Sequence, residues 1–267
     1  MASVHRLQGV ARINGRMIAR TGLHIGAGKD TVEIGGIDLP VIRHPHTREP
    51  YVPGSSLKGK LRFMLEWVFG KVRTDGRAWG FDVKDRVQTR DTLDTDDPIL
   101  RIFGSSIPRK DWESANKKDP GPTRLVARDA FLDPKWVKSV EERGLALTEE
   151  KMEVSIDRIA GKALDGGLRR TERVVAGATF EIELSFRLYD TGDGGKRDRE
   201  CLNWLIAGLG LLEQDALGGS GSRGYGRVSF EDLVVTLPDG STQKIEARHR
   251  LNRFPTDAAP EIVRFAA

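Results

Sequence analysis

The stretch LGGSGSRGYGR, residues 217–227, most constrains this chain. Gly219, Gly221 and Gly224 spell G-x-G-x-x-G, the written form of a dinucleotide-binding turn. That turn needs a strand before the glycines and a helix after them, so that the helix N-terminus faces the pyrophosphate. Here the order is reversed. The preceding segment, RECLNWLIAGLGLLEQDAL, carries Leu202, Leu205, Ile206, Leu209 and Leu212 at helical spacing. The following one, GYGRVSFEDLVVTL, alternates as a strand and slips near Glu231 and Asp232, the mark of a bulge. A helix–loop–strand order excludes the cofactor turn, and without G-K-[ST] there is no P-loop. Two readings stay open. One is a helix C-cap whose glycines supply positive φ. The other keeps that geometry and adds a phosphate site made of Ser220, Ser222, Arg223 and exposed amides. Five glycines, two serines and one arginine in residues 218–226 exceed what a cap requires.

The rest of the chain places this loop in an α+β fold. Residues 4–25 read as a long strand, followed by Gly- and Pro-rich β-arms. A helix then opens at Ser55 or Ser56, either of which can cap it, with Leu57, Leu61, Met64, Leu65 and Val68 along one stripe. Residues 73–122 lack a sustained period and read as two charged surface insertions around a short helix near 98–103, capped by Asp97. TRLVARDAFL reads as a strand, residues 148–176 as two arms around a basic tip, and TFEIELSFRL as a strictly alternating strand. Two helices with strands around each match a split βαβ, ferredoxin-like core with large insertions.

Composition limits the setting. The 267 residues suffice to bury roughly 75% of the unfolded surface without a disulfide staple. The single cysteine, Cys201, leaves no disulfide framework and no CxxC metal site, which suits a reducing cytoplasm. The start, MASVHRLQGVARING, lacks the apolar core of a secretory signal, and no run approaches the ~18 apolar residues of a membrane span. A soluble cytoplasmic chain without a membrane partner is the expectation. The net charge of +4 is mild, but the cations gather in SSLKGKLR, GLRRTERVV and GSRGYGR, apart from the acidic runs. Such a distribution suits a surface that tracks phosphates.

Four motifs in order carry a resemblance: TGLHIGAGKDTVEIGGIDLPVIRHP, YVPGSSLKGKLR, RLVARDAFL with IDRIAGKALDGGLRRTERV, and LGGSGSRGYGRVSFEDL. Together they resemble the backbone subunits of type III-A CRISPR (Csm) effector complexes, within the RAMP superfamily. The likeness runs from about residue 18 to 233. The departures are the insertions at about 73–96 and 108–122 and the tail after 238. The resemblance implies one RAMP domain over 1–267 with an RRM-like, ferredoxin-type core. Its insertions are a catalytic loop with β-arms at 26–53, variable segments at 73–122 and a β-hairpin thumb at 148–176. It implies copies stacked as a filament along a guide RNA beside other effector subunits, each cutting a complementary target RNA with a divalent metal, Mg²⁺ by expectation. Such a filament needs a heterologous, non-closing self-interface. A non-cleaving scaffold and a stand-alone guide-processing ribonuclease are the alternatives.

Residue roles follow from the same resemblance. Asp38, in GGID, matches the catalytic aspartate and would ligate the metal or help deprotonate an attacking 2′-OH. Read without it, Asp38 is an Asx-turn residue before Leu39 and Pro40. Asp30 and Glu33 are nearby rivals. His24 would contact RNA and could also assist the reaction. Ser55, Ser56, Lys58, Lys60 and Arg62 would meet guide phosphates at a helix start. Arg158, Lys162, Arg169, Arg170 and Arg173 would do so on the thumb, where Leu164 or Leu168 could wedge between bases. Ser220, Ser222 and Arg223 complete the RNA-binding set. His44 and His46, split by Pro45, read as loop residues, and Asp91, Asp94, Asp96 and Asp97 as a solvated acidic run.

Overall fold

The computed structural model describes residues 5–28, 37–80, 94–246 and 259–265. In chain order the elements are β1 (Arg6–Ala19), α1 (Gly54–Val68), α2 (Pro98–Phe103), α3 (Arg109–Ser114), β2 (Leu125–Ala127), α4 (Pro134–Glu142), β3 (Thr148–Ile156), β4 (Ala163–Val174), β5 (Thr179–Asp190), α5 (Lys196–Leu212), β6 (Val228–Thr236) and β7 (Thr242–Lys244). Five strands form an antiparallel sheet ordered β2-β5-β1-β6-β7, while β3 and β4 pair separately as a hairpin. Helix α1 lies between β1 and β2 in sequence, and α5 lies between β5 and β6.

The sheet and its helices follow from hydrophobic period. In β5 the alternating Phe180, Ile182, Leu184, Phe186 and Leu188 are all buried, as are Ala11, Ile13 and Met17 of β1. The expected slip near Glu231 is real: the β1–β6 register shifts between Asn14 and Arg16, and Asp232 adopts φ 51°. Helix α5 is buried nearly all round rather than along one stripe. It packs on α1, where a Cβ at Gly208 would come within 3.3 Å of Leu65. On another side Asn203 Oδ1 accepts the amides of Ile262 and Val263 at 3.1 and 2.7 Å, so the chain end covers it.

Several local expectations need correction. Helix α1 begins at Gly54 with no side-chain cap, so neither Ser55 nor Ser56 closes it. Instead Asp129 Oδ1 accepts the Gly54 amide at 2.8 Å from across the fold. Two short helices, α3 and α4, stand where none was expected. The strand read over TRLVARDAFL shrinks to Leu125–Ala127. The 73–122 segment is not all surface, because Trp112 packs on Leu100 and Ile107 in a core of its own. Asp97 does cap α2, accepting from Ile99 and Leu100. It also accepts from Trp79 Nε1 at 2.7 Å and is buried, so the acidic run is partly structural. Asp91 lies outside the described residues.

One buried cluster ties this segment to the core. Asp198, at the start of α5, accepts from Arg101 Nε at 3.0 Å and from Arg124 Nε at 3.1 and 3.0 Å, and all three side chains are fully buried. Among the described residues no helix is long and apolar enough to cross a membrane. Asp198→Ala would leave two buried guanidinium groups without their carboxylate. Urea denaturation is expected to show a loss of about 3–5 kcal/mol; a loss under about 1 kcal/mol would mean that the cluster does not anchor the insertion.

Candidate functional site

The site is organised along one edge of β4. A hairpin strand has two rows of backbone groups, and one row of β4 is used by β3. The other row must find partners or water. It pairs with two separate loops. Leu39 N donates to Arg170 O at 3.2 Å, and Glu172 N donates to Leu39 O at 3.0 Å. Further along, Leu23 and Val174 exchange both backbone bonds at 2.9 and 2.7 Å.

Two predicted site residues ride on these contacts. Asp38 is exposed, and its Oδ2 accepts the Arg170 amide at 2.8 Å. His24 Nδ1 lies 2.6 Å from Glu172 O. A carbonyl can only accept, so Nδ1 carries the proton and Nε2 remains as the acceptor of the neutral ring. The two anchor points are two residues apart, roughly 7 Å along a strand. Glu172 fixes the loop from beneath. Its buried carboxylate pairs with Arg43 and accepts the Val41 amide at 2.9 Å. Asp30 and Glu33 lie outside the described residues.

The glycine loop packs against the same histidine. Gly219 N donates to His24 O at 2.9 Å. Gly218 has φ 79°, and a Cβ there would stand 2.2 Å from His24 O. Gly226, with φ 70°, would place one 2.0 Å from Leu217 O. These two glycines are therefore required by close packing. They do not cap the helix, because α5 ends at Leu212 with right-handed Glu213 as its C-cap, before Gly218 is reached. The middle of the loop is different. A short 3₁₀ turn at Gly221–Arg223 leaves the Ser220, Gly221 and Ser222 amides without a partner among the described residues. Clustered free amides of this kind favour anions.

The loop also holds the hairpin, through a contact that sequence reading missed. Glu153 of β3 accepts from Tyr225 Oη at 2.9 Å and from Arg223 Nη1 at 3.0 Å. Lys151 and Arg173 lie over the Tyr225 ring, 4.5 and 4.9 Å from its centroid. Desolvation pushes the Glu153 carboxyl up, but the bonds from Tyr225 and Arg223 and the charge of Lys151 outweigh it and leave it below its ordinary value. Partners some 70 residues apart give no local signal. Between hairpin and loop runs a groove of about 470 Å³, lined in part by Arg158, Arg169 and Arg223. Leu164 and Leu168 are about half exposed on β4.

Other predicted residues divide into free and engaged. Ser55 is exposed at the start of α1 and Ser56 partly so. Lys58 is half-buried, and desolvation, aided by Arg62 and Arg187, lowers its pKa. Lys60 pairs with Asp215 at 2.7 Å. Arg62 turns inward to Glu66, at 2.7 Å, and to the Trp79 carbonyl, which gives it a structural task. Arg170 and Arg173 pair with Glu150 and Glu149 at 3.7 and 2.7 Å. Among the described residues no three His, Cys, Asp or Glu side chains converge as a metal cage. A lone exposed carboxylate still fits Mg²⁺, which keeps its waters and takes one or two carboxylates plus substrate phosphates.

The low pKa of Glu153 makes a pH-dependent prediction. A carboxyl depressed in the folded state stabilises above its unfolded pKa, and that contribution is lost as pH falls through the folded value. Glu153→Gln should therefore melt below wild type at pH 7, with the gap closing below roughly pH 4. A constant gap down to roughly pH 3 would show that the charge of Glu153 does not hold the hairpin to the loop.

Comparison with known proteins places this geometry in a lineage. The profile of the RAMP superfamily matches residues 16–229. A protein of Methanocaldococcus jannaschii named "CRISPR system Cms endoribonuclease Csm3" is 40% identical over 229 residues, covering 86% of this chain and 82% of that one. A Streptococcus thermophilus protein of the same name is 37% identical over 222 residues, covering 83% and 87%. Among solved structures, the Csm3–Csm4 subcomplex of the type III-A CRISPR-Cas interference complex includes a chain that aligns with TM-score 0.50 and 26% identity, covering 89% of this chain and 88% of that one. A chain of the type III-B Cmr-beta complex bound to cognate target RNA shares the fold at TM-score 0.51 and 14% identity, covering 85% and 61%. The chain belongs to the Csm3 family of the RAMP superfamily.

Proposed function

We propose that this chain is a backbone subunit of a type III CRISPR ribonucleoprotein that binds guide RNA and cleaves the complementary target RNA beside its own hairpin. One observation carries the reading: the exposed Asp38 carboxylate is pinned to the Arg170 amide of β4, with His24 held two residues further along the same strand. A carboxylate and an imidazole fixed on a projecting hairpin can meet a scissile phosphate next to the point where that hairpin enters a duplex. The names and assemblies of the relatives support the same reading.

The architecture takes its place in that reading. The strand order β2-β5-β1-β6, with α1 and α5 as connections, is a ferredoxin-like arrangement within a single RAMP domain. The β3–β4 hairpin is the thumb, and Leu164 and Leu168 are its candidate wedges. The free amides at 220–222 and the arginines of the adjoining groove bind phosphates of the guide. Arg223 offers one nitrogen to Glu153 and keeps further donors for RNA. Copies of the chain stack head to tail along the guide.

The chemistry is internal attack. The target's 2′-oxygen bonds to the adjacent phosphorus, the 5′-oxygen of the next nucleotide leaves and takes a proton from water, and the products are a 2′,3′-cyclic phosphate and a 5′-hydroxyl. Asp38 orients and helps deprotonate the 2′-OH, and His24 Nε2 serves as an acceptor or RNA contact. A divalent metal held by Asp38 would neutralise charge on the phosphate oxygens. In an assembled complex with labelled target RNA and Mg²⁺, Asp38→Ala should bind target normally and cut it at least about 100-fold more slowly. Cleavage by the variant at the wild-type positions and rate would overturn the assignment. A wild-type complex that binds and never cuts would make the chain a scaffold.

A further inference from the structure

We propose that His44, His46, Tyr51 and Phe131 form a stacking surface for an unpaired base of single-stranded RNA. The inference rests on the RNA-binding reading above. The four rings make a continuous chain. His46 to His44, His44 to Phe131 and Phe131 to Tyr51 each have centroids 5.7 Å apart, the last pair stacked at 29°. Phe131 nevertheless remains 46% exposed, so a large apolar ring is held in water by rings that do not cover it.

The backbone explains the display. Val52 and Ala130 pair as a bridge and are both buried, so their chain neighbours Tyr51 and Phe131 turn outward. The tight turn between His44 and Glu49 brings both imidazoles to the same spot, with Arg48 in the left-handed region at φ 61°. The Arg48 side chain forms no ion pair with a described residue and adds positive charge to the turn.

Three considerations favour a base over a protein partner. Three of its rings, His44, His46 and Tyr51, lie in sequence between Asp38 and the start of α1, two of the places where the proposed RNA site meets the chain, and the fold brings Phe131 beside them. Three of its four rings carry polar atoms, which suits a flat base with polar edges. Four side chains are also far fewer than the roughly 20–30 residues that each side of a stable protein interface uses.

The test compares the full chain binding labelled oligoadenylate with its binding to abasic RNA of equal length, by fluorescence anisotropy. Wild type should prefer the base-bearing RNA. Phe131→Ala should cut that preference about tenfold while leaving abasic binding unchanged. Phe131→Trp should keep the preference, and Phe131→Leu, which retains bulk without a π face, should lose it. Thermal melting checks that each variant is folded. If Phe131→Ala and Phe131→Leu both retain the wild-type preference, the proposal is wrong. A change of oligomeric state with the preference intact would make the patch a protein interface, and would equally overturn it. If wild type binds neither RNA, the RNA-binding reading itself fails.

Discussion

The outer edge of β4 is the constraint on which the rest of the site depends. A two-stranded hairpin is marginal alone, and its unpaired edge would otherwise face solvent or a foreign strand. Here the edge is closed by residues 38–39 and 23, from two loops that share no secondary structure with it. Because those loops carry Asp38 and His24, the bonds that stabilise the hairpin also place these two side chains. Glu172 strengthens the arrangement from a buried position, where its pair with Arg43 is little screened.

A second connection runs from the hairpin to the glycine loop. Glu153 receives a phenol and a guanidinium, and hydrogen bonds to a charged group are worth about 1.5–3 kcal/mol each when shielded. Tyr225 is buried and Arg223 half exposed, so the Tyr225 bond is the stronger anchor of the two. The glycines of the loop serve packing rather than the helix cap that its sequence suggested. Gly218 and Gly226 permit close packing, while the free amides between them remain available to a phosphate.

Much of the scaffold was legible because it follows hydrophobic period. The alternation of β5, the stripe of α1, the Asp97 cap and the Glu231 bulge all rest on local rules. Helix α4 was missed although Asp133 and Pro134 mark its start, because nine residues are too few for a firm period. The candidate site was legible only as separate residues. Asp38 gives no sign of Arg170, 132 positions away, nor Arg223 of Glu153, because both contacts depend on how the hairpin meets loops distant in sequence. Arg62 shows the opposite failure: a basic residue in a basic motif is turned inward by Glu66 and the Trp79 carbonyl. His44 and His46 are loop residues, as their sequence indicates, but nothing local shows that Phe131 lies beside His44.

The central claim is that the Asp38 carboxylate is fastened to the hairpin at one amide. Residue-resolved hydrogen exchange of the Arg170 amide tests it most directly. The Arg170 amide is expected to be protected in wild type and to exchange much faster in Asp38→Ala, while the Val174 amide, bonded to Leu23, stays protected in both. An Arg170 amide that exchanges freely in wild type, or at the same rate in the variant, would contradict it.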